Sequence, residues 1–133
     1  MKSVVIAYCA TLLAFVGIDF VWLSVAGDWL YRPILKDILL EGFRPAPAFA
    51  FYILYAAGLV ILAVRPGLEA NALRLAAGNG ALLGLVAYAT YDLTNQATLR
   101  NWTTSLTLTD LAWGTLLSAV AASIGYAVAR WLA

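Results

Sequence analysis

Histidine is absent from the 133-residue sequence. Its absence removes imidazole ligation of haem, histidine-bearing zinc sites and imidazole acid–base catalysis. Cysteine occurs once, at Cys9, so no internal disulfide can form. Charge is scarce as well: eight basic and seven acidic residues make up 11% of the chain and leave a net charge of +1. The sequence holds no basic cluster to meet nucleic acid. It also has no loop of alternating acidic residues to organise a hard cation. Neither a metal nor a cofactor is expected.

What remains is apolar. With 64% hydrophobic residues and a mean hydropathy of +0.88, the chain has too little polar surface to cover a water-soluble globule. It reads as an integral membrane protein. Lys2 before an apolar run, with Ser24-Val25-Ala26 downstream, resembles a secretory signal. The run is too long for one and carries Asp19, so it reads as a retained span.

The pattern predicts an all-α fold in one domain, 1–133: a four-transmembrane-helix bundle with a short interfacial amphipathic helix between spans one and two. The spans fall at about 3–26, 46–64, 72–95 and 107–132, each long enough for a hydrocarbon core of about 30 Å. Between the first two, at 28–42, Ile34, Leu35, Ile38 and Leu39 recur opposite Lys36, Asp37 and Glu41. This predicts the amphipathic helix at about 33–41, with Pro33 in its first turn, Gly42 at its stop, and Trp29 and Tyr31 at headgroup level. Arg44-Pro45-Ala46-Pro47 opens span two, and Arg65-Pro66-Gly67 reads as the turn that closes it.

Helical spacing puts Tyr8, Leu12, Phe15, Asp19, Trp22 and Ala26 on one face of span one. In span three, Ala77, Gly80, Ala81 and Gly84 form a small-residue face suited to close packing within the bundle. The same face continues into Tyr88, Tyr91, Asp92 and Asn95. In span four, Asp110, Trp113, Gly114, Leu117 and Ala121 align. Four spans would bring Asp19, Asp92 and Asp110 near one membrane face, with Arg100 and Trp102 in the connection above them. An ionised aspartate at mid-bilayer costs roughly 2.5–3.5 kcal/mol. A shared pocket is therefore expected, with Asp92 as acid–base candidate, Asp19 and Asp110 positioning it, and Arg100 as the nearby cation. Tyr88, Tyr91, Asn95, Arg100, Trp22, Trp102 and Trp113 are the expected ligand contacts.

Structural roles compete with these. Thr107-x-x-Asp110 fits a helix-start capping box, Asn95 could cap span three, and Asp92 with Thr94 could fasten the connection to Arg100. The tryptophans serve equally as interfacial anchors or packing. Basic residues divide four against four: Lys2, Arg65, Arg74 and Arg130 on one side, Arg32, Lys36, Arg44 and Arg100 on the other. If Arg100 is drawn into the pocket, the balance puts both termini in the cytoplasm and the pocket on the outer side.

The run Tyr88-Ala-Thr-Tyr-Asp-Leu-Thr-Asn-Gln-Ala-Thr-Leu-Arg-Asn-Trp102 resembles a bacterial family of small inner-membrane proteins known only as a domain of unknown function. Asp19-Phe-Val-Trp22-Leu, Pro47-Ala-Phe-Ala-Phe-Tyr52 and Asp110-Leu-Ala-Trp113-Gly114 extend the likeness over nearly the whole chain. The resemblance implies a location in the bacterial inner membrane and points towards lipids; it supplies no activity. Three functions are open at this point. One is a pocket that binds or modifies a membrane lipid or another amphipathic molecule. The second is a proton-coupled exporter working as a homodimer, and the third an accessory subunit with a structural polar cluster. Whether the protein is an enzyme is left open by its residues.

Overall fold

The computed structural model describes residues 1–38 and 43–133, with the backbone alone at Asp37. No strand occurs among them. Four long helices carry the fold: α1 (Lys2–Leu35), α2 (Pro45–Ala70), α3 (Leu73–Thr98) and α4 (Thr104–Leu132). Of these, α1, α2 and α4 are long and apolar enough to cross a membrane. At about 1.5 Å per residue α3 matches them in length, but Arg74, Asn79, Asp92, Asn95 and Gln96 make it less apolar. The outward faces of the helices are greasy, with Leu13, Phe20, Leu54, Leu82 and Leu116 all exposed. Such a surface suits lipid.

Two of the helices run further than expected. Span one was expected to stop near residue 26, yet α1 continues to Leu35. The Arg65-Pro66-Gly67 turn is instead helical, and α2 continues to Ala70. The physical reason is the same in both places. A proline inside a helix cannot donate to the carbonyl four residues back, and its ring presses against that carbonyl. Each Arg-Pro pair is preceded by one π-helical turn, Gly27–Tyr31 before Arg32-Pro33 and Val60–Val64 before Arg65-Pro66. The Arg32 amide reaches back five residues to the Gly27 carbonyl, and the Arg65 amide to that of Val60. Widening the turn by one residue relieves the clash and lets the helix go on.

α1 ends at Lys36, whose positive φ of 49° breaks the helix. A 3₁₀ turn, Lys36–Ile38, follows. The segment expected to begin a separate interfacial helix is thus the end of α1. The rest of that expected helix, including Glu41 and its stop at Gly42, lies outside the described residues. α2 ends where Asn71 adopts left-handed geometry, φ 54° and ψ 43°. The Ala72 amide donates to the Gly67 carbonyl and the Asn71 amide to that of Leu68, the bonding of a Schellman end.

Around the core, α1 packs on α2 and α4, and α3 packs on α2 and α4. Phe15, Leu59, Val64 and Leu117 fill the centre, with Phe15 ringed by Phe51, Tyr52 and Tyr55 at centroid distances of 5.0–6.2 Å. The seam between α3 and α4 is the tightest. A Cβ at Gly84 would stand 2.5 Å from the Gly114 carbonyl oxygen, and one at Gly114 would enter the Tyr88 ring. The G-x-x-x-G of α3 therefore serves packing inside the chain. At one end Arg130 donates to Asn71, tying α4 to the α2–α3 turn. At the other, Leu30 and Leu35 of α1 are buried with Trp102 and Leu106.

Asn79, on the flank of α3, donates to the Leu62 carbonyl at 3.0 Å. Leu62 is the residue four before Pro66, so its carbonyl is the one deprived of a donor. Replacing Asn79 by leucine is expected to cost about 1–3 kcal/mol in chemical unfolding of the detergent-solubilised protein. In a Pro66→Ala background, which restores the missing N–H, most of that cost should vanish. An equal loss in both backgrounds would show that Asn79 serves something else.

Candidate functional site

Polar side chains gather at the end of the bundle where α1 and α3 finish and α4 begins. Asp19 lies one turn after Phe15 on the inward face of α1 and is 8% exposed. Both its oxygens are used: Oδ2 accepts the Tyr52 hydroxyl at 2.8 Å, and Oδ1 accepts the Trp113 indole N–H at 3.2 Å. One carboxylate thereby links α1 to α2 and α4.

Asp110 is buried on α4. Its Oδ1 accepts the Tyr31 hydroxyl at 2.5 Å, and that hydroxyl in turn accepts the Trp22 indole N–H at 2.8 Å. Trp22 stacks on Trp113 with centroids 4.5 Å apart and planes 13° from parallel. The two carboxylates are thus joined through a pair of stacked indoles, each donating to a different oxygen. Tyr31 was expected at headgroup level. It turns inward because α1 keeps its helix through the π turn, which brings Tyr31 over Asp110. Trp29 stays 57% exposed, edge-on to Trp22.

Asp92 has no exposed surface. Its carboxyl faces that of Asp110, an acceptor like itself. No hydrogen-bond donor among the described residues reaches either Asp92 oxygen. Beside it the Thr107 hydroxyl accepts the Trp102 indole N–H at 3.0 Å and leans on the Asp92 carbonyl at 3.5 Å. Trp102 meets Tyr91 at 85° with centroids 5.5 Å apart.

The competing structural roles fare differently. α4 begins at Thr104, capped by the Thr103 hydroxyl, which accepts the Leu106 amide at 3.1 Å. Asp110 lies well inside the helix and caps nothing. α3 continues to Thr98, so Asn95 sits within its last turn and is not a cap. Thr94 bonds back to the Thr90 and Tyr91 carbonyls and does not fasten the connection. Arg100 is exposed and makes no ion pair among the described residues.

Two cavities open at this end. The first, about 430 Å³, is lined by Phe51, Ala87, Tyr88, Tyr91 and Asp110. The second, about 370 Å³, takes in Asp19, Tyr31, Arg32, Trp102 and Trp113, and again Tyr88, Tyr91 and Asp110. The first is walled almost entirely by rings and methyl groups, and the second holds carboxylates and a guanidinium. Of the expected contacts, Tyr88, Tyr91, Trp102 and Trp113 line cavities, while Trp22 backs Trp113 from behind. Asp92 stands behind Asp110, Asn95 lies a turn beyond Tyr91 and beside it, and Arg100 is elsewhere. Among the described residues no three carboxylate or thiol groups converge as a metal site would.

Sequence reading missed Tyr31, Arg32 and Tyr52. Tyr52 carried a usable signal, since it falls one turn before Ala56 and Tyr55 on the inward face of α2. Arg32 and Tyr31 carried none, because their placement depends on α1 continuing past residue 26 through a π turn.

The family model described as "Predicted membrane protein (DUF2177)" matches residues 4–127, and the chain belongs to that family. No curated protein and no solved structure matches it.

Removing the Tyr31 hydroxyl should unpair both Asp110 and Trp22. Tyr31→Phe is expected to destabilise by about 1–3 kcal/mol and to change the near-ultraviolet circular dichroism of the stacked indoles. Arg100→Ala should stay within about 0.5 kcal/mol of wild type. The reverse ranking would mean that the site is organised from the connection and not from α1.

Proposed function

We propose that this member of the DUF2177 family takes an amphipathic molecule from the membrane, most simply a lipid, into its two adjoining cavities. The observation that carries this reading is the shared wall. An apolar chamber and a polar chamber have Tyr88, Tyr91 and Asp110 in common, which matches a ligand with one greasy and one polar part. The tail would lie against Phe51 and Ala87, and the head against Asp19, Arg32 and Asp110. All four long helices cross the membrane in this reading, with the polar residues of α3 turned towards α4. The site then opens near one face of the bacterial inner membrane, on the outer side if the termini are cytoplasmic. Asp110 is the carboxyl that meets the ligand. Asp92, sealed behind it, acts through Asp110.

Filling the apolar chamber tests this. Wild-type protein purified in mild detergent should retain a stoichiometric amphiphile in native mass spectrometry. Ala87→Trp should lose it, whereas Leu82→Trp on the outward face of α3 should keep it. Equal retention in all three would sink the reading.

One observation favours a second reading, proton-coupled export. Asp92 and Asp110 are two acceptors facing one another, an arrangement satisfied by a proton held between them. Infrared spectroscopy would then show a protonated-carboxyl band that disappears in Asp92→Asn. In proteoliposomes, export would release protons on adding substrate, and Asp92→Asn would abolish the release. A band that persists in the variant excludes the shared proton.

A further inference from the structure

The polar cavity has an unusual wall. Tyr31, Tyr88, Tyr91, Trp102 and Trp113 all line it. Trp22 stacks on one face of Trp113 and holds that ring in the cavity wall. Tyr91 and Trp102 stand at 85° to one another, as two walls of a box do. Aromatic faces carry partial negative charge and attract cations, the more so where water is excluded. Two carboxylates, Asp19 and Asp110, add full or shared negative charge to the same space.

The arrangement selects among cations. A hard metal ion requires six or more oxygen ligands, whereas both Asp19 oxygens are already taken by Tyr52 and Trp113. An organic ammonium needs no such shell. Its charge is spread over C–H surface, which ring faces accommodate. Arg32 lines the same cavity with its side chain 48% exposed and Asp28 3.6 Å away. A guanidinium there disfavours a ligand that is cationic throughout and favours one that carries an anion beside its ammonium.

We infer that the polar chamber receives a zwitterionic phospho-ammonium head, its ammonium boxed by the rings with Asp19 and Asp110, and its phosphate against Arg32. This rests on the amphiphile-binding reading above and names the class of head that site would take. Asp110 is the pivot, since it lines both chambers and lies where the head joins the tail.

The test uses the full chain transferred from detergent into amphipol, with tryptophan fluorescence as the readout. The probes are dodecylphosphocholine, dodecyltrimethylammonium, dodecyl phosphate, dodecyl maltoside and chain-free phosphocholine. Dodecylphosphocholine is expected to saturate with the highest affinity. Tyr91→Leu should weaken it roughly tenfold, and Tyr91→Phe, which keeps the ring, should restore it. Arg32→Gln should weaken dodecylphosphocholine while leaving dodecyltrimethylammonium unchanged or tighter. That opposite response of two probes in one variant cannot come from a general loss of folding. If dodecyl maltoside or dodecyl phosphate binds as well as dodecylphosphocholine, the head assignment is overturned and amphiphile binding stands. If chain-free phosphocholine binds as tightly as its dodecyl form, the head assignment is supported and the membrane amphiphile is overturned. If no probe saturates, both fall.

Discussion

Two carboxylates placed among apolar helices, Asp19 and Asp110, are met by donors, some of them from other helices. The Tyr31–Asp110 hydrogen bond is the clearest instance, and much of the upper bundle depends on it. It joins the end of α1 to the first turns of α4. It also fixes the hydroxyl that orients Trp22, and Trp22 then supports the Trp113 ring that donates to Asp19. Removing Tyr31 or Trp113 leaves a carboxylate oxygen without its donor, which costs more than the bond itself contributes. The polar network and the packing are therefore one system, and the cavities are the space that this system holds open.

The α3–α4 seam supplies the second constraint. Gly84 and Gly114 let the two backbones approach until the Tyr88 ring occupies the place of a side chain at position 114. Close approach at the glycines brings Asp92, two turns after Gly84, opposite Asp110, one turn before Gly114. Tyr88 then belongs to two structures at once: it fills the seam and divides the chambers. Its position is set by helix packing, so the wall it gives both cavities is fixed by the seam.

How much of this was legible depended on which physical rule applied. Helical periodicity placed Phe15, Asp19, Trp22 and Ala26 on one inward face, and Gly80 and Gly84 on another, because those stretches obey a 3.6-residue repeat. The gathering of Asp19, Asp92 and Asp110 at one end followed from span order alone. Two things were illegible. Span one was expected to end near residue 26 with Pro33 opening a separate helix, and Arg65-Pro66-Gly67 to turn the chain; in both places the main chain instead widens by one residue and continues, and no side-chain pattern announces a π turn. The nearby cation was also chosen by nearness in sequence, which pointed to Arg100. Extending α1 instead carries Arg32, paired with Asp28, to the cavity, while Arg100 stays exposed in the connection.

The length of α1 has a mechanical side. At about 1.5 Å per residue its 34 residues make a rod of roughly 50 Å, against a hydrocarbon core of about 30 Å. The rod must lean or stand proud of the bilayer, and its upper end is the roof of the polar chamber. The Gly27–Tyr31 π turn lies between the apolar shaft and that roof, where the helical ladder is widened by one residue. A span longer than the hydrocarbon core is accommodated by leaning, and Tyr31 rides near the far end of this one. The helix long enough to lean is thus the one whose end lines the polar cavity.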